Sequence, residues 1–287
     1  MKQRVILLVG ILISTMSYAQ FEISAGTGYA IGSAEMKLGT ETTTTSVENT
    51  YGSYGEGVNF QLRGTYFFNE KVGLDVGVGY LNGVDHTISK VDIPSLNTDV
   101  DAIARGRAYG ATVAVAYKFT DNFYGRAGAL LKIAGKTEAV VYRKAPFTEA
   151  ERQENGLPEG SYSETNYTED FHGKFPLGFV GALGYKFPID NNFSIYVEAE
   201  YYGISLKRKD SELQEFNSDV FLPDGTQVAN YTLDNLPEGV YKKITYVDEL
   251  ETGEDPEGPR RLSQKVPYSS FGINVGVTYK FKKAAKQ

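Results

Sequence analysis

Four aromatic tripeptides recur along the chain, each at the end of a run in which apolar residues alternate with polar or small ones. They are Tyr66-Phe67-Phe68, Tyr117-Lys118-Phe119, Tyr185-Lys186-Phe187 and Tyr279-Lys280-Phe281. In an extended strand, the first and third residues of each tripeptide lie on one face and the middle residue on the other. Rings at the water boundary of alternating strands form the interface girdle of a transmembrane β-barrel. The repeat therefore predicts a membrane barrel with all four tripeptides at one end.

Two further aromatic residues follow tripeptides across short turns and return to the same membrane boundary. The predicted girdle consists of Tyr66, Phe68, Tyr117, Phe119, Phe123, Tyr185, Phe187, Phe193, Tyr279 and Phe281. A soluble β-sandwich has no physical reason to mark every second strand with aromatic residues at the same end. The girdle thus favours a membrane protein over a soluble all-β domain.

Eight alternating runs supply the strands of this barrel. The first extends from Phe21 to Gly32, and the others begin near Val58, Val72, Tyr109, Phe123, Phe175, Phe193 and Phe271. Each run is long enough for the ~9–11 residues with which a tilted strand crosses a bilayer. The predicted fold is all-β, an eight-stranded antiparallel up-and-down transmembrane β-barrel. Ten strands stay open as an alternative, because the last connection is long enough to contain another hairpin.

The connections between these runs alternate between short and long. Short links join the second run to the third, the fourth to the fifth and the sixth to the seventh. The long connections cover about residues 34–54, 85–103, 134–173 and 207–265. Outer-membrane barrels have short periplasmic turns and longer extracellular loops. We therefore expect the girdle and both ends of the barrel on the periplasmic side, with β-ribbons above the membrane in the third and fourth loops.

The beginning of the chain resembles a secretory signal peptide. A positively charged start precedes the apolar stretch Val5–Ile13 and the small-x-small cleavage signal Ser17-Tyr18-Ala19. The predicted organisation is a removed signal peptide at 1–19, a barrel at 20–281 and a periplasmic tail at 282–287. The sequence contains no Cys, which excludes disulfides, thiolate metal sites and a Cys nucleophile.

Signal peptide, eight alternating runs and the terminal Tyr279-Lys280-Phe281 together resemble the small outer-membrane β-barrels of the OmpA/OmpX type. The resemblance covers nearly all of the mature chain. It implies the outer membrane of a Gram-negative bacterium, contact with outer-membrane lipids and lipopolysaccharide, and recognition of the C-terminal strand by the barrel-assembly machinery. Only Lys282–Gln287 follow the last run, so we expect no peptidoglycan-binding domain. Barrels of this kind have many roles, so the resemblance predicts fold and compartment rather than function.

The faces predicted to line the lumen carry several charges. The predicted charge network consists of Arg63, Asp75, Arg126, Lys132, Glu198 and Glu200. An eight-stranded interior is just wide enough for side chains to fill, so these charges must pair with one another. Counting back from the turn between the second and third runs places Thr65 opposite Asp75, with Arg63 diagonal to Asp75. Arg126 and Lys132 are the candidate partners of the two glutamates. A salt-bridged plug is the favoured interpretation, and a narrow or gated pore stays open.

An enzyme is the rival class, since some small barrels hydrolyse lipids or peptides at the outer rim by using a histidine as a base. Only His86 and His172 are present. The segment His86-Thr87-Ile88-Ser89 does not resemble the His-x-Ser of lipid A deacylating barrels, and no Asp-Asp pair accompanies an Asp-His pair as in omptins. We expect no catalytic residue, no metal site and no cofactor.

The chain has a net charge of −7, and the acidic excess is concentrated in the long connections. An acidic crown disfavours nucleic acid and anionic surfaces through simple repulsion. It could bind divalent cations that bridge lipopolysaccharide phosphates, or a basic partner, although solubility of long loops explains it as well. We therefore expect a monomeric, non-enzymatic barrel with a structural, adhesive or surface-recognition role in its loops. A narrow porin-like channel is the alternative, and a rim-located hydrolase comes third.

Overall fold

The computed structural model describes residues 20–281. The signal peptide predicted at 1–19 and the tail predicted at 282–287 lie outside the described residues. No helix in the described part of the chain is both long and apolar enough to cross a bilayer.

Strands dominate the described residues. In chain order they are β1 (Gln20–Gly32), β2 (Met36–Thr43), β3 (Val47–Gly52), β4 (Gly57–Phe67), β5 (Val72–Gly83), β6 (His86–Ile93), β7 (Thr98–Lys118), β8 (Phe123–Pro146), β9 (Tyr162–Gly173), β10 (Leu177–Pro188), β11 (Phe193–Gly203), β12 (Ser205–Phe221), β13 (Gln227–Thr232), β14 (Lys243–Val247), β15 (Arg260–Leu262), β16 (Lys265–Pro267) and β17 (Ser270–Lys280). A 3₁₀ turn covers Pro94–Leu96, and the short helix α1 covers Glu149–Asn155.

Eight of these strands close into one antiparallel barrel wall. The order around the wall is β1, β4, β5, β7, β8, β10, β11 and β17, and β17 pairs back onto β1 with Glu22 opposite Lys280. The eight-stranded antiparallel fold is therefore confirmed, with the predicted first and last strands adjacent. The strands of the last connection do not enter the wall, so the ten-stranded alternative is wrong.

Alternation along each wall strand separates an apolar exterior from a polar or small interior. In β1, for example, Phe21, Ile23 and Tyr29 are exposed on the outside, whereas Glu22 and Ser24 are buried inside. The same division holds on β4, β5, β10 and β17, whose outward side chains are nearly all large and apolar. An apolar exterior of this extent is stable only against lipid. The barrel therefore spans a membrane.

The residues of the predicted aromatic girdle lie at one end of the barrel, where their rings are in contact in several separate groups. Phe119 lies 5.1 Å from Tyr117 and 5.1 Å from Phe123, and Tyr279 lies 4.8 Å from both Phe193 and Phe281, between ring centroids. A second set of rings, which the sequence analysis missed, lies towards the other end of the wall. It includes Tyr80 with Tyr109 at 4.8 Å and Phe179 with Tyr201 at 5.5 Å. These residues belong to no repeated tripeptide, so the pattern did not single them out.

Three tight turns join wall strands at the girdle end, and all three close in the same way. The backbone N–H groups of Phe68, Phe119 and Ile189 donate to the carbonyls of Val72, Phe123 and Phe193, each at 2.9 Å. In each turn, the first residue accepts two backbone N–H bonds through its side chain; these residues are Asn69, Thr120 and Asp190. Such side-chain acceptors are the usual chemistry of tight turns. The five-residue link predicted between Phe187 and Phe193 thus contains a three-residue turn, because Pro188 still pairs with Ser194.

The long connections at the opposite end of the barrel, which we call the loop end, consist largely of further strands. β8 has 24 residues, about twice what a bilayer crossing needs, and its second half pairs with β7 and β9. β9 pairs with β12, and β12 in turn pairs with β13 and β14. The ribbons predicted in the third and fourth connections are present. The first two connections contain strands as well, since β2 pairs with β3 and β6.

Candidate functional site

A cluster of buried ion pairs fills the middle of the lumen. The Arg63 guanidinium donates to both carboxylate oxygens of Glu198, at 2.8 and 3.0 Å. Arg126 bonds to Glu198 at 3.1 Å and also to Glu200, and it lies 3.7 Å from Asp75. Glu198 has no solvent-exposed surface. The structure thus brings together five of the six residues named for the charge network.

Strand register places these groups. Glu198 and Glu200 are two residues apart on β11 and therefore point into the lumen together. Asp75 on β5 faces Thr65 on β4, in the register expected from the turn count, and the Thr65 hydroxyl donates to Asp75 at 2.6 Å. Neighbouring side chains complete the network. Tyr124 donates to Glu198 at 2.8 Å, and Gln61 and Asn274 donate to Glu200 at 2.5 and 2.6 Å.

Lys132 does not pair with the glutamates, so its predicted place in the network is wrong. Its amine lies 5.0 Å from the centroid of the Tyr268 ring and has no hydrogen-bond partner among the described residues. The reason is that Lys132 and the two glutamates lie at different heights along the barrel axis. Lys132 follows Arg126 by six residues on β8, and that distance carries its side chain above the ion pairs.

A second ion cluster closes the girdle end, and the sequence analysis missed it. Glu22 accepts a bond from Lys118 at 2.8 Å and another from Lys186. The Lys118 amine also lies 3.7 Å from the centroid of the Phe67 ring. Lys118 and Lys186 are the middle residues of two aromatic tripeptides. The signal was therefore present, since a residue between two girdle aromatics points into the lumen.

Above the central ion pairs the lumen becomes apolar. Buried side chains that pack together there include Leu130, Val180, Ile204, Leu206 and Tyr268. The backbone segments around Tyr54 and Pro267 cap this region. They are joined by a hydrogen bond from the Tyr54 N–H to the Pro267 carbonyl, at 3.0 Å. The Tyr268 and Thr137 hydroxyls are hydrogen-bonded at 2.6 Å. A cavity of about 100 Å³ lies among these side chains and is bounded below by Gln61 and Arg63.

A much larger cleft, of about 1110 Å³, opens at the loop end. We call it the loop-end cleft. Its walls come from the second half of β8, β9, β12, β13, helix α1 and residues 236–241. Its lining is rich in aromatic and aliphatic side chains and also carries four glutamates and two arginines: Phe147, Leu157, Tyr167, Leu213, Phe216, Val220, Val228, Tyr231, Leu236, Val240, Tyr241, Ile244, Glu151, Glu154, Glu169, Glu238, Arg143 and Arg261.

Alternation along β9 and β12 aims side chains into this cleft. On β9, Tyr167 and Glu169 face it, and Tyr167 is paired with Phe216 of β12, with ring centroids 6.4 Å apart. A register shift between Leu213 and Glu215 lets Leu213 and Phe216 share the inner face although they are three residues apart. Helix α1 borders the cleft and begins with a capping box, in which Thr148 and Glu151 satisfy each other's backbone N–H groups.

Partial burial changes the pKa values of two ionisable side chains in the cleft. Burial raises the pKa of Glu169 against the opposing influence of Ser211, Arg208 and Arg261. Burial and the neighbouring Glu169 raise the pKa of Tyr167. The carboxylate of Glu169 therefore forms at a higher pH than that of an exposed glutamate, which makes it responsive to a cationic partner.

Both histidines lie near the loop end, on different strands, β6 and β9. His172 Nδ1 is 2.8 Å from an Asp210 carboxylate oxygen, and the His86 ring packs edge-on against Tyr54, with centroids 5.6 Å apart. Ser89, the candidate neighbour of His86, lies in the β6 ladder opposite Ala102. Among residues 20–281, no three His, Asp or Glu side chains are grouped so that they could hold a metal ion.

The barrel has a closed antiparallel wall. Its exterior is apolar and bounded by aromatic rings, and its interior is polar and largely ion-paired. Closed barrels with this exterior are the β-structures that span outer membranes. The chain is an eight-stranded transmembrane β-barrel. The fold that the resemblance to OmpA/OmpX-type barrels implies is thereby confirmed.

Solved outer-membrane proteins align with most of this chain at low identity. OprG from Pseudomonas aeruginosa covers 92% of this chain over 97% of its own length, with 12% identity and a TM-score of 0.39. A major outer-membrane protein from Thermus thermophilus covers 92% over 99% of its length, with 11% identity and a TM-score of 0.39. Ail of Yersinia pestis, solved with the heparin analogue sucrose octasulfate, covers 92% over 99%, with 10% identity and a TM-score of 0.33. No family model and no curated protein matches the sequence.

Removing one partner from the central ion pairs tests their contribution to stability. Arg126→Met leaves Glu198 and Glu200 short of a counter-charge in a buried site, which costs about 3–5 kcal/mol. We expect the folded-to-unfolded shift on gels to occur at a clearly lower temperature. Arg143→Met, which removes an exposed arginine from the same strand, should leave that temperature unchanged, and adding Glu200→Gln to Arg126→Met should restore part of the loss. An unchanged shift for Arg126→Met would contradict the role of the pairs.

The raised pKa of Glu169 predicts a pH-dependent effect on the loop end. Stabilisation of the protonated form is complete below the ordinary glutamate pKa of about 4.3 and is lost as pH rises through the higher folded value. Glu169→Gln should therefore slow hydrogen exchange of β9 and β12 amides at pH 7 and have no effect near pH 4. Glu154→Gln, at an exposed position on α1, is the control and should change neither. Faster exchange in Glu169→Gln at pH 7 would show that the ionised carboxylate stabilises the fold.

Proposed function

We propose that this protein is a non-enzymatic outer-membrane receptor or adhesin whose loop end faces the outside of the cell. Its loop-end cleft binds an extended basic segment of a surface partner. The observation that carries the proposal is the cleft of about 1110 Å³, which lies at the end of a barrel whose lumen contains ion-paired and apolar side chains. In this account the barrel is a rigid support, and recognition belongs to the loop-end strands.

Closure of the lumen supports recognition over transport. Conduction through a pore requires a continuous path for the solute. Three successive layers interrupt such a path here: Glu22 with its two lysines, the central arginine–glutamate pairs, and the apolar cluster capped by Tyr54 and Tyr268. The cavity of about 100 Å³ between the last two layers is small by comparison with the cleft.

The size of the cleft favours a polymer segment over a small metabolite. Sites for small molecules occupy roughly 300–1,000 Å³, and this cleft exceeds that range. Its aromatic side chains offer large contact areas of the kind that dominate protein interfaces. β13, which lines the cleft, forms a ladder with β12 on one side. An edge strand beside an apolar cleft can accept an extended peptide by strand addition.

The charge balance of the cleft favours a basic ligand. Four glutamates face two arginines, and one of the four, Glu151, is engaged in the α1 capping box. Arg261 bonds to the carbonyls of Gly258 and Glu257 and lies 3.4 Å from the Glu257 carboxylate, so part of its charge is already matched. An acidic surface of this kind repels nucleic acid and attracts cations.

The remaining partners follow from the wall of the barrel. Its apolar exterior is suited to outer-membrane lipids, and its loop end to lipopolysaccharide. β17 pairs with β1 and β11 on its two sides, so the wall has no open edge for a second copy, and we propose a monomer. We also propose that the barrel-assembly machinery reads the terminal Tyr279-Lys280-Phe281.

Peptide binding by purified protein tests this function. Fluorescent twelve-residue peptides of graded net charge, with and without aromatic residues, should bind in order of increasing positive charge. Tyr167→Ala/Phe216→Ala removes two neighbouring rings of the cleft lining and should weaken binding of the basic peptides at least tenfold. Asn166→Ala/Thr168→Ala alters the opposite face of β9 and should leave affinity unchanged. Equal affinity of both double variants for every peptide would contradict the proposal.

A further inference from the structure

One basic group in the lumen differs from the other four described above. Arg63, Arg126, Lys118 and Lys186 each bond to a carboxylate. The amine of Lys132 is buried but has no hydrogen-bond partner among the described residues, and it faces the Tyr268 ring at 5.0 Å. A buried ammonium without a counter-charge is unfavourable unless something pairs with it. This group therefore points to a negatively charged ligand.

Lys132 lines the cavity of about 100 Å³ above the central ion pairs. Most of the remaining lining is apolar, with Ala30, Leu81, Leu130, Ile204 and Leu206 among it. We propose that this cavity binds a small monocarboxylate, with the Lys132 ammonium as its anchor and the apolar wall against its alkyl chain. The site is separate from the loop-end cleft and does not depend on the proposed function.

Several other polar groups of the cavity already have hydrogen-bond partners. The Gln61 amide nitrogen lies within hydrogen-bond distance of acceptor oxygens on Asn59, Glu200 and Tyr202, at 3.2, 2.5 and 3.0 Å. The Tyr268 hydroxyl is bonded to Thr137. A ligand therefore meets the Lys132 ammonium, the Arg63 guanidinium, which is already paired with Glu198, and a largely apolar wall. A single anionic head with an apolar body complements that arrangement.

Size and charge narrow the class further. On the measure that gives this cavity about 100 Å³, a water molecule needs at least about 10–15 Å³, so the cavity has room for several waters or for a carboxylate with a short alkyl chain. A dicarboxylate or a phosphate is disfavoured, because the second cation in the lining, Arg63, is already paired with Glu198 and most of the remaining wall is apolar. The preferred ligands are therefore short-chain fatty acids.

Butyrate is the probe that tests this site directly. The protein is folded in a nonionic detergent and titrated with [1-¹³C]butyrate, and the carboxyl ¹³C resonance is followed by NMR. We expect saturable binding at one site per protein. Lys132→Met, with its fold verified by the heat-dependent gel shift, should weaken binding at least tenfold. Lys90→Met removes an exposed amine on β6 and should leave binding unchanged.

A second probe keeps the test independent of any variant. Butyramide has nearly the shape of butyrate but no charge, so it should bind the unmodified protein at least tenfold more weakly. Equal affinity for butyrate and butyramide would overturn the role of the ammonium. Absence of saturable butyrate binding, or equal binding by Lys132→Met, would overturn the site itself.

Discussion

Backbone hydrogen bonding in hydrocarbon is the constraint on which the rest of this structure depends. An N–H or carbonyl group without a partner in lipid costs several kcal/mol, so a membrane-spanning sheet must close on itself. Here β1 and β17 meet with eleven paired positions from Glu22–Lys280 to Gly32–Ser270, and the wall has no free edge. Closure with eight strands then determines the width of the lumen, which side chains can fill. A charge inside therefore has to find its partner within that small space.

The side chains inside the lumen are arranged in layers. Charges gather at two heights, around Glu22 and around Glu198, and each is satisfied by cations from facing strands. Bulky groups need room between them. Gly26 and Gly276 lie against the Tyr196 ring, where a Cβ on either residue would collide with it. Above the charges, apolar side chains and the Tyr54–Tyr268 cap complete the closure. Because the wall is rigid and closed, its long strands can continue beyond the membrane and hold an open cleft.

The sequence predicted what strand periodicity and turn counting control. The girdle, the eight wall strands and the pairing of Thr65 with Asp75 follow from a period of two and from known turn lengths. Contacts between side chains across the lumen do not follow from strand periodicity or turn length. Whether Arg126 or Lys132 reaches Glu200 depends on the stagger of strands around the closed wall, which no local pattern records. Lys118 and Lys186 could have been placed inside from their position between girdle aromatics.

The loop-end strands were harder to predict for a different reason. In β9 and β12 both faces carry polar residues, so the alternation that marks a half-buried strand is weak. Register shifts, such as the one between Leu213 and Glu215, interrupt it further. The cleft is formed by segments far apart in the chain, and Tyr167 and Phe216 lie side by side on one of its faces. Its existence depends on which ribbons pair with each other, and that information lies in the three-dimensional arrangement.

Single-channel recording of the unmodified protein in planar bilayers tests most directly the central claim, that the barrel is closed and serves as a support for recognition. After insertion, verified by recovery of heat-modifiable protein from the membrane, the account predicts a bilayer current no larger than that of the lipid alone, with no discrete steps. Reproducible, stable conductance steps from the folded protein would contradict it, because they require a continuous path past Glu22, the central ion pairs and the apolar cap.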